Sequence, residues 1–224
     1  MATHFLGKKL LVITAHPDDE GIAAGTMYEN HKAGGETYLI CATYGEKGKS
    51  HLAKPVSDAA LKRIRKNELL KAAKVLHVKQ VFFLGLPDTK VGKHRKELFA
   101  KCAAIVREVK PDQLVSFGPD GMSGHLDHIA AHAAALQLAK KFKLPLAAAT
   151  LAGKLVAQRR KLFLARRKFG KYAAGSIVHR KGDIKIKINK TMKHRAMKNH
   201  VSQFGAKGPN FPIITEEHFV NEKI

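Results

Sequence analysis

Residues 16–20, His-Pro-Asp-Asp-Glu, place one imidazole and three carboxylates side by side. They follow the apolar run at residues 10–13, and a short apolar run bounded by a turn signal predicts a buried strand of a parallel sheet. Ligand-binding and catalytic groups collect at the carboxyl ends of strands in open α/β sheets. Because charged groups next to a core strand need a partner, the segment indicates a metal site.

A second cluster, residues 117–128, carries His125, Asp127 and His128 and overlaps the end of another apolar run, residues 114–117. His125 and His128 are three positions apart at the start of a predicted helix, so both can face one pocket. In a doubly wound sheet the two strand ends share one edge. The loops that follow them can therefore meet over a single crevice.

Together the two clusters offer the donor set of a catalytic zinc site, in which two histidines and one carboxylate leave a fourth position open. Zinc would lower the pKa of bound water to about 7. A spare carboxylate could then act as general base, and a spare histidine could stabilise an oxyanion or protonate a leaving amine. The residue types leave alternatives open, because Asp19 can cap a helix and His125 can be a surface loop residue. His132 also competes with His128, since it lies one helical turn further on.

Apolar runs alternate with helical patterns over the first 140 or so residues. The predicted strands are residues 10–13, 38–42, 81–84 and 114–117, and the predicted helices are residues 21–33, 57–77, 93–109 and 125–141. Strands that alternate with helices imply a parallel sheet covered by helices on both faces. The predicted fold class is α/β, a Rossmann-like, doubly wound, mostly parallel sheet. It is expected to form a single domain of residues 1–224 with its core at about residues 8–141.

The remaining part, residues 142–224, is predicted to be a variable region followed by a C-terminal strand and helix. Residues 184–188 alternate apolar and charged, a period of two that is typical of a strand. Asn189 is placed to cap the helix that follows. Residues 145–175 fit either a helix or an exposed connection, and the tail from Gly208 is expected to run over the surface.

The net charge of +23 comes from 41 basic and 18 acidic residues. Such a field attracts nucleic acid, anionic membranes or anionic substrates. Because the charge is spread along the chain without a recognition module or a set of stacking aromatics, specific nucleic-acid binding is not expected. A solvated basic surface is the preferred interpretation, and an anionic substrate is the alternative.

Two cysteines, Cys41 and Cys102, lie in apolar surroundings 61 residues apart. They are predicted to be buried free thiols of a reducing compartment, because cytosolic proteins rarely carry disulfides. The sequence shows no N-terminal signal pattern and no apolar run long enough to span a bilayer. A cytoplasmic location without a membrane span is therefore predicted.

The two clusters, at residues 16–20 and 125–128, resemble the motifs of the LmbE-like, or PIG-L, family of zinc-dependent N-deacetylases. Further similarities are the Thr-Tyr-Gly-Glu-Lys-Gly loop at residues 43–48, the Arg-x-x-Glu pair at residues 65–68 and the C-terminal segment 193–203. The likeness extends from about residue 8 to 204. It implies a zinc cofactor, with another divalent transition metal as the alternative.

The resemblance implies three metal ligands, His16, Asp19 and His128, and so favours His128 over the competing histidine one turn further on. Asp18 would be the general base that acts on zinc-bound water. Glu20 would begin the following helix without binding the metal.

Four other residues receive roles from the resemblance. His125 would stabilise the tetrahedral intermediate or protonate the amine, with Asp127 holding its imidazole. Arg65 would contact polar groups of the substrate and His200 would approach the pocket from the C-terminal helix, although each could also be an ordinary surface residue. One departure is His77, which stands where family members often have glycine. We expect this helix end to lack its usual left-handed cap.

The activity implied is hydrolysis of the acetyl amide of an N-acetylated amino sugar of the N-acetylglucosamine type, or of its conjugate. The expected partner is this small-molecule substrate, and a homo-oligomer is left open. The alternatives are an amidase of a thiol conjugate and a basic nucleic-acid-binding protein with an idle site. A dinucleotide-binding protein is disfavoured, because residues 21–25 lack the glycine triplet and the aspartates before them would repel a pyrophosphate.

Overall fold

The computed structural model describes residues 5–151, 180–209 and 214–223. The described residues form seven strands: β1 (Lys9–Thr14), β2 (Glu36–Cys41), β3 (Gln80–Phe83), β4 (Gln113–Ser116), β5 (Leu146–Thr150), β6 (Ile184–Lys187) and β7 (Glu216–Asn221). Their α-helices are α1 (Ala24–Lys32), α2 (Asp58–Val75), α3 (Arg95–Val109), α4 (Leu126–Phe142), α5 (Lys190–Met197) and α6 (Val201–Phe204). Short 3₁₀ helices at Asp19–Ile22 and Val91–His94 precede α1 and α3.

All seven strands belong to one sheet in the order β3-β2-β1-β4-β5-β7-β6. Strands β1 to β5 pair in parallel, whereas β7 is antiparallel to both β5 and β6. The chain goes from β1 to β2 on one side and later returns to β4 on the other, so β1 and β4 flank the topological switch point at which α/β proteins bind ligands. The predicted α/β fold with a mostly parallel sheet is confirmed.

Strand β1 is apolar throughout because both of its faces are covered. Leu11 and Ile13 belong to the core beneath α3 and α4, whereas Leu10 and Val12 belong to the core beneath α1, α2 and α5. All four side chains are fully buried. The continuous apolar run therefore marks a strand between two helix layers, as expected for a parallel sheet.

Side-chain caps fix where two helices begin. The hydroxyl of Ser57 accepts a hydrogen bond from the amide of Ala60 at 3.3 Å, at the start of α2. The Oδ1 of Asn189 accepts from two amides of the first turn of α5, each at 3.1 Å. Such caps satisfy amides that have no partner inside the helix. Helix α5 ends at Met197, so His200 lies beyond it and directly before α6.

The end of α2 corrects the expectation about its cap. His77 itself takes the left-handed conformation, with φ of 55°. The amide of Val78 donates to the carbonyl of Ala73 and the amide of His77 to that of Lys74, at 2.9 and 3.2 Å. This is the Schellman pattern that glycine usually supplies. The His77 ring also stacks on that of His31, with 3.9 Å between centroids.

The sequence pattern does not predict two strands of the sheet. Strand β5 arises from residues 145–175, which we expected to be a helix or an exposed connection, and residues 152–179 lie outside the described part of the chain. The expectation that the tail runs over the surface is wrong for β7, which lies within the sheet between β5 and β6.

The two thiols agree with their prediction, since both Cys41 and Cys102 are buried and free. Among the described helices, none combines the length and the apolar character needed to cross a membrane.

Candidate metal centre and active site

The loop after β1 and the loop before α4 bring two histidine nitrogens and the two carboxylate oxygens of Asp19 together at the switch point of the sheet. The Nδ1 of His16 lies 3.1 Å from Oδ2 of Asp19 and 3.2 Å from Nε2 of His128. The same His128 nitrogen lies 3.2 Å from the second carboxylate oxygen of Asp19. Donor atoms that share a tetrahedral zinc ion at 2.0–2.1 Å are about 3.3 Å apart. The spacing therefore matches a site for one small divalent ion.

The hydrogen-bond partners of the two rings indicate which nitrogens would offer a lone pair to a bound cation. The Nδ1 of His128 faces the carbonyl of Gly121 at 3.0 Å, so its proton lies there and Nε2 keeps a lone pair. The Nε2 of His16 faces the carboxylates of Asp88 and Asp127 at 3.2 and 3.3 Å, which places its proton on that side. Two lone pairs and a carboxylate then converge on one point, an arrangement that a cation stabilises.

His16 belongs to two groups of possible metal ligands whose donor atoms all lie within 4.8 Å of one another, and neither group contains Asp19. In the first, Asp127 and Asp88 surround the Nε2 of His16. Their oxygens already accept backbone N–H groups, from Thr89 and Val91 for Asp127 and from Lys47 for Asp88, at 2.8 to 3.1 Å. Carboxylates in this position orient a metal-binding histidine through its second nitrogen.

The second group contains His125 with His16 and His128. The Nδ1 of His125 accepts a hydrogen bond from the amide of Asp127 at 3.2 Å. The proton of the neutral ring is therefore placed on Nε2, which favours a donor role over metal binding. Burial, together with the charges of His16 and His128, lowers the pKa of His125 to about 3. His125 is thus a neutral hydrogen-bond donor at physiological pH.

The contacts of Asp127 extend the role predicted for it. It holds His125 through its backbone amide, while its carboxylate binds His16 and two amides of the loop after β3. Asp127 is almost completely buried. One residue at the start of α4 therefore connects both clusters to the neighbouring loop.

His128 is held in place by packing on both of its faces. Its ring stacks on Phe117, with centroids 4.2 Å apart, and on His125 at 4.9 Å. Gly121 allows this approach: its φ is +64°, and a Cβ there would lie 2.7 Å from the Cβ of His128. The competing residue His132 is bound elsewhere, since its Nδ1 lies 2.8 Å from the carbonyl of Phe117.

Asp18 has a strained backbone and a perturbed carboxyl group. Its φ of 100° is rare for a residue with a side chain, and such strain concentrates at functional sites. Burial and the neighbouring Asp19 raise the pKa of Asp18 to about 7, although His200 acts in the opposite direction. A carboxyl group with a pKa near neutral is suited to accepting and returning a proton.

The pKa values of His16 and Asp19, the two predicted ligands after β1, are shifted in opposite directions. Burial would lower the pKa of His16, but Asp19, Asp127 and Asp88 together raise it well above its usual value. Burial would raise the pKa of Asp19, but His128 and His16 lower it well below its usual range. Both shifts show that the cluster favours positive charge next to the carboxylates.

The sequence analysis missed Asp88. This residue is almost fully buried, follows β3 at the same sheet edge, and contacts His16 at 3.2 Å. Its oxygen Oδ2 also accepts from the amide of Lys47, and its own amide donates to Glu46 at 3.1 Å. The sequence feature that could have identified Asp88 is an acidic residue soon after the third strand. The pair Pro87-Asp88 also fits an ordinary turn.

His200 is enclosed behind the site. Its Nε2 contacts Oε1 of Glu20, and both side chains are 0% exposed. The other oxygen of Glu20 accepts from the strained amide of Asp18 at 3.0 Å. The predicted contact of His200 with substrate has no counterpart in this geometry, since the side chain acts through Glu20 on the Asp18 backbone. Glu20 is the second residue of the 3₁₀ helix Asp19–Ile22, and its carboxylate contacts His200 and the Asp18 amide.

The rest of the C-terminal segment holds the same loop from several directions. The Nζ of Lys193 donates to the carbonyl of Gly21 at 2.7 Å, and Nε2 of Gln203 donates to that of Pro17 at 2.8 Å. The amide and hydroxyl of Ser202 both donate to the carboxylate of Glu68 on α2. We call residues 193–203 the C-terminal clamp.

We predict that His200→Ala lowers the free energy of unfolding by about 3 kcal/mol, because it leaves a buried carboxylate on Glu20 without its partner. Denaturant unfolding followed by circular dichroism measures the change. The control is His194→Ala, which removes an exposed histidine of α5 and should be neutral. Equal stability of the two variants would contradict the role of the buried pair.

Arg65 is also buried, and its guanidinium makes hydrogen bonds within the protein. It is 5% exposed, and its Nη1 and Nη2 donate to the carbonyls of Gly45 and Lys49 at 2.5 and 3.0 Å. A Cβ at Gly48 would lie 2.2 Å from Nη1, so the glycine makes room for the guanidinium. Arg65 therefore shapes the loop after β2, and its predicted contact with substrate remains a prediction.

The chain matches a known protein family over more than half of its length. The family described as PIG-L, GlcNAc-PI de-N-acetylase, matches residues 11–139, more than half of the chain. The chain belongs to the PIG-L family. The matched range contains every residue of the donor cluster.

Individual PIG-L relatives agree with this membership. The chain is 37% identical over 157 residues to a 1D-myo-inositol 2-acetamido-2-deoxy-alpha-D-glucopyranoside deacetylase of Streptomyces avermitilis, a match that covers 59% of the chain and 53% of that protein. A protein of the same name from Salinispora arenicola is 31% identical over 153 residues, covering 58% and 50%. The chain thus spans about half the length of the curated relatives it matches.

Solved structures show the same fold. The N,N'-diacetylchitobiose deacetylase of Pyrococcus horikoshii aligns with a TM-score of 0.64 and 25% identity over 88% of this chain and 71% of that one. The 4-carboxy-2-hydroxymuconate hydratase GalB of Pseudomonas putida also aligns with a TM-score of 0.64, at 18% identity over 96% and 95%. Because the second likeness carries a different activity, the fold alone does not define the reaction.

A few buried polar side-chain atoms of this PIG-L protein are unpaired. Within the described residues, three buried side-chain atoms have no hydrogen-bond partner: Oε2 of Glu46, Nε of Arg65 and Nδ1 of His200. The charges of Arg65 and His200 both act on Asp18. Buried polar groups are rarely left unpaired, and exceptions concentrate at functional sites.

Proposed function

We propose that this protein is a zinc-dependent hydrolase that removes the acetyl group from an N-acetylated amino sugar of the N-acetylglucosamine type, or from its conjugate. The observation that carries the proposal is the convergence of the acceptor atoms of His16, Asp19 and His128 beside a carboxyl group with a pKa near neutral. Its relatives include deacetylases of acetylated amino-sugar conjugates, which supports the same substrate class.

His16, Asp19 and His128 would hold the metal ion, and another divalent transition metal is the alternative to zinc. When bound, the ion acts as a Lewis acid toward the acetyl carbonyl and lowers the pKa of water.

Asp18 supplies the proton transfer. Its side chain is partly exposed, so its carboxylate can take a proton from the attacking water while the oxygen of that water bonds to the acetyl carbon. The carboxyl group then returns the proton to the nitrogen as the C–N bond breaks, which releases acetate and the free amine. A pKa near 7 allows both steps.

His125 stabilises the charge that develops on the acetyl oxygen. Its Nδ1 is occupied by the amide of Asp127, so Nε2–H is the group that can donate to the oxyanion. With a pKa of about 3, the ring remains a neutral donor and is a poor source of a proton for the amine. Of its two predicted roles we therefore favour stabilisation of the intermediate.

The remaining predictions fit this activity. Buried free thiols suit a reducing compartment, which supports the cytoplasm as the location. We retain the single domain of residues 1–224 and a small-molecule partner, with an anionic substrate and a homo-oligomer as open alternatives.

The function is tested by measuring acetate release from N-acetylglucosamine, its phosphates and its glycosides with the zinc-loaded protein. We expect release from at least one of them and none after chelation. Cleavage of a thiol-conjugate amide without acetate release would favour the amidase alternative. Salt-dependent RNA binding without any hydrolysis would favour the nucleic-acid-binding alternative.

A further inference from the structure

The exposed charge of the helices α2 and α5 is almost entirely positive. Both helices cover the same face of the sheet, and they pack against each other. The one exposed acid on either helix is Asp58 at the start of α2, and Lys47 forms an ion pair with it. We call the exposed Lys and Arg side chains of the two helices and their caps the basic face: Lys62, Arg63, Lys66, Lys71, Lys74, Lys190, Arg195 and Lys198.

The charge of the basic face is not compensated by the residues that the structure describes. Within them, none of its eight cations forms an ion pair, and the Lys and Arg ion pairs involve Lys32, Lys47, Lys79, Lys101, Arg180 and Lys193. The helices on the other face of the sheet differ, because α3 exposes Glu97 and Glu108, and Glu97 pairs with Lys101. A concentration of unpaired cations on one face attracts a polyanion.

Two cations of the basic face are held over aromatic rings. The Nζ of Lys62 lies 4.2 Å from the centre of the Tyr44 ring, and that of Lys66 lies 5.8 Å from the centre of the Phe83 ring. The two rings stack on each other with 5.1 Å between their centroids. Cation–π contacts restrict flexible side chains, so less conformational freedom is lost when a partner binds. Because the rings are already in contact with each other and with the lysines, phosphates are favoured as partners over stacked bases.

The basic face is long enough to contact a series of phosphates. From Lys62 to Lys74 the helix rises by about 18 Å, at about 1.5 Å per residue. Phosphates of one duplex strand follow each other at about 3.4 Å along the axis, so this length corresponds to about five base pairs. Asn67 and Thr191 are exposed on the same two helices, and side chains of these types bind phosphate oxygens in nucleic-acid complexes.

A membrane surface fits the basic face less well than a nucleic acid does. Helices that lie in a membrane interface insert several large apolar side chains, such as Trp, Phe and Leu, between the lipids. Leu70 is the one large apolar residue exposed on α2, at 42%, and α5 exposes none. Neither helix contains an aromatic residue. The cations therefore lack the apolar anchor that membrane binding requires.

We propose that the basic face binds the phosphate backbone of a nucleic-acid duplex without reading its sequence. The eight cations lie outside the donor cluster, so this binding is independent of the proposed hydrolysis. It also differs from the alternative of a nucleic-acid-binding protein with an idle site, because the catalytic residues keep their function. Part of the net charge of +23 thereby receives a binding role.

The test measures the binding of a fluorescein-labelled DNA duplex by fluorescence anisotropy, at about 100 mM salt. The variant Lys66→Glu/Lys71→Glu/Arg195→Glu reverses three charges of the basic face. We expect its Kd to rise at least tenfold. The slope of the logarithm of affinity against the logarithm of salt concentration should become shallower by about three, because each lost phosphate contact removes about one unit.

The matched control is Arg95→Glu/Lys96→Glu/Lys140→Glu. It also replaces one arginine and two lysines, all exposed, but on α3 and α4 at the other face of the sheet. Both variants have the same net charge, so binding through net charge alone predicts equal losses. We expect the control to change Kd less than threefold. Circular dichroism shows whether both variants are folded, and the outcome does not depend on the proposed hydrolysis.

Equal losses in the two variants, or no binding of the duplex by the wild type, would overturn the proposal. Competition tests the choice of partner. Unlabelled duplexes of unrelated sequence should displace the labelled duplex equally well. Phosphatidylserine vesicles or poly-glutamate that displace it at the same concentration of negative charge as unlabelled duplex would overturn the assignment to nucleic acid.

Discussion

Asp18→Asn should retain the metal and lose turnover by about 10²- to 10⁴-fold, the usual contribution of a general base. Asparagine is the appropriate replacement because it tolerates the positive φ of this position better than alanine does. The amide has the shape of the carboxyl group but cannot accept the proton of water. The measurement is kcat for acetate release, with metal content determined on the same sample.

The pH dependence of the activity is a second test of Asp18 as the general base. Asp18 must be ionised to act, so wild-type activity should fall as pH decreases through its pKa. That pKa is about 7 without a cation, and a divalent ion nearby lowers it. The acid limb should therefore lie at or below pH 7 and disappear in Asp18→Asn. Asp183→Asn is the control, because its carboxylate accepts from an amide of β7, outside the donor cluster. Full turnover in metal-replete Asp18→Asn would rule out this base.

His128→Ala should lose metal binding and activity together, because it removes one of the three convergent donors. We expect the metal affinity to fall by more than the roughly 100-fold typical of mutations outside the ligand shell. His132→Ala is the matched control: it removes the competing histidine one turn away, whose Nδ1 is bound to the carbonyl of Phe117. Metal content by elemental analysis after dialysis separates the two. Metal retained in His128→Ala but lost in His132→Ala would reverse the assignment.

The sequence predicted the central sheet because its strands are apolar enough to recognise. Strand β1 is buried on both faces and appears as a continuous apolar run. Strand β5, Leu-Ala-Ala-Ala-Thr, has no such signal, since alanine favours helices and becomes a strand here only through pairing with β4 and β7. Strand β7 begins with two glutamates, so its sequence does not indicate a strand inside the sheet.

The site was predictable where its residues lie close together in sequence. His16 and Asp19 share one loop, and the motif at residues 125–128 supplies the other half of the cluster. Contacts between residues that lie far apart in the sequence could not be predicted. No local pattern links Glu20 to His200, which is 180 positions further along the chain. The same holds for Asp88, whose importance depends on the third strand lying near the first.

The C-terminal clamp has a consequence for the order in which the site can form during synthesis. Every residue of the donor cluster, together with Asp18 and His125, has left the ribosome well before Lys193, His200 and Gln203 are made. A nascent chain that ends near residue 139 would thus contain the complete chemistry without the contacts that hold the strained Asp18 loop. The ability to hold Asp18 in its strained conformation should therefore appear only after the C-terminal clamp has been synthesised.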